Sequence, residues 1–205
     1  MHRRFHYISF VLPLLLLTSS LPGMEQLGEN KIVDIALNAP SKQRFPDAKA
    51  VILLDRWEYT ISPDSIHQVE YMRAIKFQSY GGMKKYENYQ ISYNSHWWDL
   101  ELLSAYSISS DGKINQVDST QINYTKPRGI EGAATQYVKT KVMVVSFPAL
   151  EDSSTVFIHY KFTSKGKLGY PYAFDKVIAG TEPVCKFELT VNYPQSFNII
   201  YRALN

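Results

Sequence analysis

Cysteine is almost absent from this sequence, since Cys185 is the only thiol among 205 residues. A single cysteine cannot close an internal disulfide, which excludes the disulfide-stapled class of secreted domain and is more typical of a bacterial periplasm. Catalysis by a thiol needs a histidine within hydrogen-bonding reach. Cys185 instead alternates with Phe187, Leu189 and Val191 along a predicted strand, which places it among apolar side chains. We therefore predict that Cys185 is a buried, unreactive thiol.

Charge of one sign is also lacking, because 22 basic residues face 19 acidic ones. The basic residues do not cluster as a phosphate-tracking groove would need, so nucleic acid is not an expected partner. His67, His96 and His159 lack metal-ligand spacing, and we expect them to be exposed strand residues. The sequence has no phosphate-binding glycine loop, nucleophile elbow or metalloprotease helix motif. It predicts no catalytic residue, no metal and no cofactor.

Long apolar runs are missing as well. The longest begins at Phe10, ends at Leu17 and contains Pro13, whereas a membrane-spanning helix needs about 20 apolar residues. Arg3 and Arg4 precede this run and small residues follow it, which is the pattern of a cleaved secretory signal peptide over residues 1–20. We expect a periplasmic or secreted protein without a stable membrane span, and a mature chain that begins near residue 21. Residues 21–44 are predicted to be a polar spacer.

Aromatic residues are abundant, with 15 Tyr, 10 Phe and 3 Trp, and they favour strands. Short alternating segments separated by Gly, Pro and Asp turns follow one another from residue 45 onward. They predict an all-β fold, an antiparallel β-sandwich of about eight to nine short strands over residues 45–205. The predicted strands lie near residues 51–61, 69–77, 89–93, 98–108, 114–117, 141–147, 156–162, 185–191 and 197–201, with a long irregular connection at 116–136 and a break at Gly81 and Gly82.

The central strand begins with two adjacent tryptophans whose side chains should point to opposite faces. Strict alternation groups Trp98 with Leu100, Leu102, Tyr106 and Ile108 on the buried face. It therefore places Trp97 in solvent. The same alternation groups the inward residues of the first strand as Val51, Leu53, Trp57, Tyr59 and Ile61.

The order of these segments resembles the bacterial Domain of Unknown Function 3857 family. The resemblance rests on FPDAKAVILLDRWEYTI, AIKF, AYSISSDGK, KVMVVSFPAL and TVFIHYKF, and it covers residues 45–195. It implies an exported β-sandwich that commonly precedes a transglutaminase-like domain. The chain ends at Asn205, which leaves no room for such a domain, so we expect either a stand-alone member or a chain truncated at its C-terminal end.

Two aromatic clusters are the candidates for a contact surface. His96 and Trp97 precede the central strand, and Tyr170, Tyr172 and Phe174 lie in a late Gly-rich segment. Exposed aromatic rings give large, rigid contact area, although both clusters could instead cap the ends of the core. We expect a non-catalytic module that contacts a protein partner or an associated transglutaminase-like domain. Glycan binding through the same rings is the alternative, and a hydrolase without a recognisable motif is a more distant one.

Overall fold

The structure, a computed structural model, describes residues 2–5, 28–64, 66–127, 139–166, 178, 180–198 and 200. These residues form, in chain order, β1 (His2–Phe5), α1 (Glu29–Leu37), β2 (Ala50–Ile61), β3 (His67–Phe77), α2 (Tyr80–Tyr86), β4 (Asn88–Asn94), β5 (Trp98–Ile108), β6 (Ile114–Gln116), β7 (Ile122–Thr125), β8 (Thr140–Ser146), β9 (Thr155–Ser164) and β10 (Phe187–Pro194). No helix among them is long and apolar enough to cross a membrane.

The strands make two sheets, which confirms the predicted all-β sandwich. The large sheet has the order β1-β10-β2-β3-β9-β5-β6, and the small sheet has the order β4-β8-β7. The expectation of purely antiparallel pairing is wrong at one place, because β10 runs parallel to β2. Neighbouring strands in an antiparallel sheet can be joined by tight turns, whereas this parallel pair joins distant parts of the chain. Strand alternation carries no information about such a pairing.

The main core fills the space between the two sheets. Tyr71, Ile75 and Phe77 on β3 face Met143 and Val145 on β8, and all five side chains are buried. Val156, Ile158 and Tyr160 of β9 belong to the same core. The cross-strand partners of β3 thus supply its centre, as expected where one face of a sheet packs on another sheet.

A second core lies on the opposite face of the large sheet, under α1. Ile32 and Ala36 are buried there against a group that includes Leu54, Met72 and Tyr106. The sequence predicted a polar spacer over residues 21–44, but Ile32 and Ala36 are four positions apart and lie on one face of a helix. The ordered domain therefore includes Glu29–Leu37. Between them, the two cores bury both faces of the large sheet at one end.

The ends of α1 are tied to the sheet by polar contacts. Lys76 donates a hydrogen bond from Nζ to the carbonyl oxygen of Ala36 at 3.0 Å. Gln116 donates from Nε2 to the Glu29 carboxylate at 2.6 Å. The first contact satisfies a carbonyl that has no partner inside the helix, so it stabilises the C-terminal turn.

Two β-bulges overturn the predicted alternation. In β2 the register shifts between Ile52 and Leu54, and in β5 it shifts between Leu102 and Ser104. A bulge inserts one extra residue, which sends every later side chain to the other face. Tyr106 and Ile108 consequently pack under α1 rather than beside Leu100 and Leu102. For the same reason Val51 and Leu53 lie under α1, whereas Trp57 packs against the main core.

The Gly81-Gly82 pair does not break the chain but lies inside α2. Ser79 is the N-cap of this helix, and its Oγ accepts a hydrogen bond from the Gly82 N–H at 3.2 Å. Glycine is required at position 82 because an added Cβ would lie 2.0 Å from the Lys49 carbonyl oxygen. The helix can approach β2 only where the side chain is absent.

Two further predictions concern connections. The predicted irregular connection contains the short strand β7, which pairs with β8, and residues 128–136 of it lie outside the described part. The predicted last strand is not formed at Phe197, which lies in a turn where its N–H donates to the Pro194 carbonyl at 3.0 Å. Residues 199 and 201–205 lie outside the described part.

Candidate functional site

His96 and Trp97 lie in the turn by which the chain passes from β4 in the small sheet to β5 in the large sheet. The Trp97 N–H donates to the Asn94 carbonyl at 3.1 Å, and the His96 N–H donates to the Asn94 Oδ1 at 2.9 Å. Asn94 favours this turn because its short side chain can accept a hydrogen bond from the backbone two residues on. The two aromatic residues are therefore held at a corner between the sheets.

Neighbouring strands fix this corner from both sides. Ser95 donates from its N–H and its hydroxyl to the Lys139 carbonyl, each at 2.8 Å. The Lys165 N–H donates to the Trp97 carbonyl at 2.8 Å. The Lys165 ammonium reaches the Ser95 carbonyl at 3.0 Å and the Asp99 carboxylate at 2.9 Å. Main-chain bonds from residues next to β8 and β9 thus set the position of Trp97.

The two tryptophans differ in the way that strand alternation predicts. Trp97 is 50% exposed and meets the His96 ring edge-on with the ring centroids 4.6 Å apart, which confirms the predicted exposure. Trp98 points inward and packs edge-on against Phe162 at 6.1 Å. It is half-buried rather than fully buried, so the prediction of a core tryptophan holds for its direction only.

The small sheet contributes a further exposed aromatic side chain. Tyr124 on β7 is 59% exposed. Burial raises the pKa of Tyr93, and the neighbouring Tyr124 raises it further while Lys165 lowers it. Tyr124, Lys165 and Asp99 all influence the pKa of Tyr93, and Lys165 contacts both Asp99 and the Trp97 carbonyl. We call these residues the corner surface: His96, Trp97, Asp99, Tyr124 and Lys165.

A row of aromatic rings supports the corner from behind. Neighbouring rings pack against each other along this row. The ring centroids of Phe162 and Tyr160 are 5.4 Å apart, those of Tyr160 and Tyr71 are 5.0 Å apart, and those of Tyr71 and Trp57 are 4.0 Å apart. The row starts at Trp98 on β5 and crosses β9 and β3 to β2. Aromatic pairs at these distances stabilise a sheet beyond their buried area. The aromatic row therefore stabilises the part of the sheet that carries the corner surface.

A buried polar cluster lies next to this row. Asp55 is 5% exposed and accepts hydrogen bonds from Arg73 at 2.6 Å and from the Trp57 indole at 2.8 Å. Burial disfavours the charged form of Arg73, but Tyr71, Tyr89 and Asp55 raise its pKa above the usual value. Burial likewise raises the pKa values of Tyr71 and Tyr89. Asp55 and Arg73 therefore bind each other inside the domain, and Tyr71 and Tyr89 stay neutral near pH 7.

Cys185 contradicts the prediction of a core thiol, because it is exposed. It precedes β10, and its N–H donates to the Ile52 carbonyl at 2.8 Å. Partial burial raises the pKa of the thiol, although Arg44 lowers it somewhat. The shallow depression beside Cys185 includes Lys31, Asp34 and Asn38 among its described lining residues, none of which is a histidine. Accessibility without an adjacent base gives a thiol that stays largely protonated near neutral pH.

The histidines differ from the expected exposed strand residues at two of three positions. His67 is only 4% exposed, and burial lowers its pKa. His159 bonds through Nε2 to the Glu70 carboxylate at 2.5 Å, with 12% of its side chain exposed. His96 is exposed. Within the described ranges, no group of three or more His, Cys, Asp or Glu side chains is arranged to hold a metal ion.

A comparison with protein families finds a matching family model. The model described as a domain of unknown function with a solved structure, DUF3857, matches residues 63–205. The chain belongs to the DUF3857 family. This confirms the resemblance that the strand patterns predicted, and the matched region of the DUF3857 domain contains all of the corner surface. A comparison with curated proteins finds no match.

One solved structure shares the fold of this chain and belongs to a longer protein. A crystal structure of a "putative protease" from Parabacteroides distasonis matches with a TM-score of 0.65 and 23% identity, over 72% of this chain and 29% of that one. This likeness shows a shared fold, and the chain spans 29% of that protein's length. A CBM3a-L domain of a Clostridium thermocellum scaffoldin reaches a TM-score of only 0.32 at 12% identity, over 69% and 82% of the two chains, which is too low to show a shared fold.

Sequence reasoning found only part of the corner surface of this DUF3857 domain. It selected His96 and Trp97 because the two aromatic residues are adjacent in the chain. It missed Asp99, Tyr124 and Lys165, which reach the corner from β5, β7 and the end of β9. No local pattern marks residues that only the sheet pairing brings together. The predicted contact residues Tyr170, Tyr172 and Phe174 lie outside the described residues.

Proposed function

We propose that this DUF3857 domain is an exported, non-catalytic β-sandwich module that acts through protein contacts at the corner surface. The observation that carries the proposal is the state of Trp97: its side chain is half exposed while hydrogen bonds from both sheets fix its backbone. Large aromatic side chains held rigidly before binding are the usual energetic centres of protein interfaces. Asp99 and Lys165 would supply a polar rim around it.

A transglutaminase-like domain, on the same protein or on a separate one, is the partner that we propose. The family resemblance implies this association, and the solved protein from Parabacteroides distasonis is much longer than the matched region. The non-catalytic part of the proposal is supported by the engagement of Asp55 and Arg73 with each other and by the raised pKa of Cys185. Export is supported by the leader pattern of residues 1–20.

The binding test uses residues 21–205 and the transglutaminase-like domain from the native gene or its neighbourhood, titrated in a calorimeter. We expect Trp97→Ala to weaken binding by about 30-fold, as for an interface hot spot of about 2 kcal/mol, with an unchanged melting temperature. Tyr80→Ala is the matched control, because Tyr80 is 62% exposed on α2, which precedes β4, whereas the corner turn follows the other end of that strand. Binding of the Trp97→Ala variant with wild-type affinity would contradict the proposal.

A pull-down on insoluble peptidoglycan and polysaccharide separates the glycan alternative. The flat Trp97 ring and its polar neighbours also suit a sugar ring, so the alternative keeps a structural basis. Retention that Trp97→Ala abolishes and Tyr80→Ala preserves would replace a protein partner by a glycan.

Export is checked separately by the mass of the protein from its host, where an intact N-terminal segment on the isolated chain would exclude signal cleavage.

A further inference from the structure

The outer edge of β10 is only partly covered. β1 pairs with Val191–Pro194, and among the described residues no strand pairs with the outer edge of residues 187–190. β1 lies within the predicted leader, so its removal would leave the whole of β10 as the edge of the large sheet. The unpaired N–H and C=O groups of such an edge are a template for another strand.

The side chains of β10 alternate cleanly along this edge. Those on one face are apolar or aromatic, and those on the other are polar: Phe187, Leu189, Val191 and Tyr193 against Glu188, Thr190 and Asn192. Leu189 lies opposite Trp57 in the register with β2 and is still 40% exposed. Natural edge strands usually carry a charge or a proline at such a position to prevent pairing. Leu189 places no such obstacle at the uncovered part of the edge.

The strand is complementary to itself in one antiparallel register. When two copies of β10 are centred on Thr190, Leu189 faces Val191, Glu188 faces Asn192 and Phe187 faces Tyr193. Apolar residues then oppose apolar ones, and no two like charges are opposite each other. A shift by one residue on one strand would put the apolar side chains on opposite faces, so the pattern selects registers centred on a residue.

We propose that the processed chain forms a symmetric dimer through antiparallel pairing of two β10 edges, centred on Thr190, which joins the two large sheets into one. The interface is isologous, as in most homodimers. The proposal rests on the removal of residues 1–20, which belongs to the proposed function. It requires neither Trp97 nor a transglutaminase-like domain.

The oligomeric state of residues 21–205 tests the proposal by sedimentation velocity over a concentration series. All members of both cores come from Ile32 onward, so this chain keeps the whole described core. We expect a monomer–dimer equilibrium that Leu189→Lys shifts to monomer. Leu103→Lys is the matched control, because Leu103 is a similarly exposed strand leucine, at 38%, on β5. A monomeric wild type, or a Leu189→Lys variant that dimerises like the wild type, would refute the dimer.

Disulfide trapping tests the register. Across a two-fold axis at residue 190, the two Cα atoms of a Thr190→Cys variant would be about 4.5–5.5 Å apart, which a disulfide can bridge. In a Cys185→Ser background, we expect Thr190→Cys to oxidise to a covalent dimer at least about tenfold faster than Glu188→Cys, whose partner is residue 192. Equal rates would exclude this register. The protein used in both dimer tests already lacks residues 1–20. Failure of these tests therefore refutes the dimer alone, whereas an uncleaved leader on the protein from its host refutes export alone.

Discussion

Arg73 and Asp55 are direct partners across β3 and β2, and their side chains form an ion pair of 2.6 Å on the face that packs against the small sheet. Only 8% of the Asp55 side chain and 23% of the Arg73 side chain are exposed. Trp57 donates to the other carboxylate oxygen, so the pair links the aromatic row to the neighbouring strand. The consequence is a polar contact in the core that depends on both partners.

We expect Arg73→Met to destabilise the domain by about 3 kcal/mol, because it leaves the Asp55 carboxylate buried without its cation. Asp55→Leu should cost a similar amount for the opposite reason. The double variant should cost clearly less than the sum of the two, since it leaves neither charge behind. Urea unfolding of the four proteins measures this cycle. Additive effects would mean that the two groups do not depend on each other.

The two glycines of α2 should respond oppositely to alanine. Gly82→Ala places a methyl group against the Lys49 carbonyl, where an added Cβ would be 2.0 Å away, and should cost about 2–3 kcal/mol. Gly81→Ala meets the Lys49 side chain at 3.5 Å and the Ser79 hydroxyl at 3.9 Å, both ordinary contacts, and should be neutral or stabilising by up to about 1 kcal/mol. Thermal unfolding of both variants is the measurement. Equal destabilisation would show that α2 does not pack against β2 in this way.

Ile32→Ala tests whether α1 belongs to the domain. Ile32 is fully buried under the large sheet, and its truncation should cost about 2–4 kcal/mol. Leu37→Ala in the same helix removes a side chain that is 50% exposed and should cost about 1 kcal/mol or less. Chemical unfolding distinguishes the two. An Ile32→Ala variant as stable as the wild type would return residues 29–37 to the role of a spacer.

His67 should make the domain less stable in mild acid. Burial lowers its pKa from the usual 6.5, so the unfolded chain takes up a proton at a higher pH than the folded chain does. Stability contributed by this group is therefore complete above the unfolded pKa of about 6.5 and is lost as the pH falls towards the lower folded pKa.

Unfolding free energies at a series of pH values, compared between wild type and His67→Gln, measure this effect. The variant should show a flatter profile below about pH 6.5, since the other acid-sensitive groups are common to both proteins. His96→Gln is the control, because it removes an exposed histidine and leaves the buried one in place. Identical profiles for wild type and His67→Gln would rule out the buried histidine as the cause.

Strand alternation predicted the fold class and most strands, because burial of one face imposes a period of two. It failed at Leu53 and Leu103, where a single extra residue reverses every later side chain without changing the composition of the strand. It also missed α1, since nine residues give too short a helical pattern to stand out.

Cys185 and the corner surface show a second limit of sequence reasoning. Alternation with Phe187 and Leu189 made the cysteine look buried, but no alternation tells whether a face is covered by another layer. Leu189 itself is 40% exposed on that face. Lys165 reaches Trp97, and Tyr124 approaches Tyr93, only because strands far apart in the chain meet at one corner. Such contacts follow from topology, which the sequence pattern does not encode.

The parallel pair of β2 and β10 also determines when the domain can finish folding. Glu58 and Asn192 are 134 positions apart, yet Asn192 donates a hydrogen bond of 2.7 Å to the Glu58 carboxylate. Contacts between residues so far apart in the sequence require a large loop to close, and the entropy lost on closure comes before the stabilising contacts form. Such contacts therefore slow folding. β2 remains an open edge until β10 has been synthesised, and a nascent chain stays incompletely folded throughout that interval.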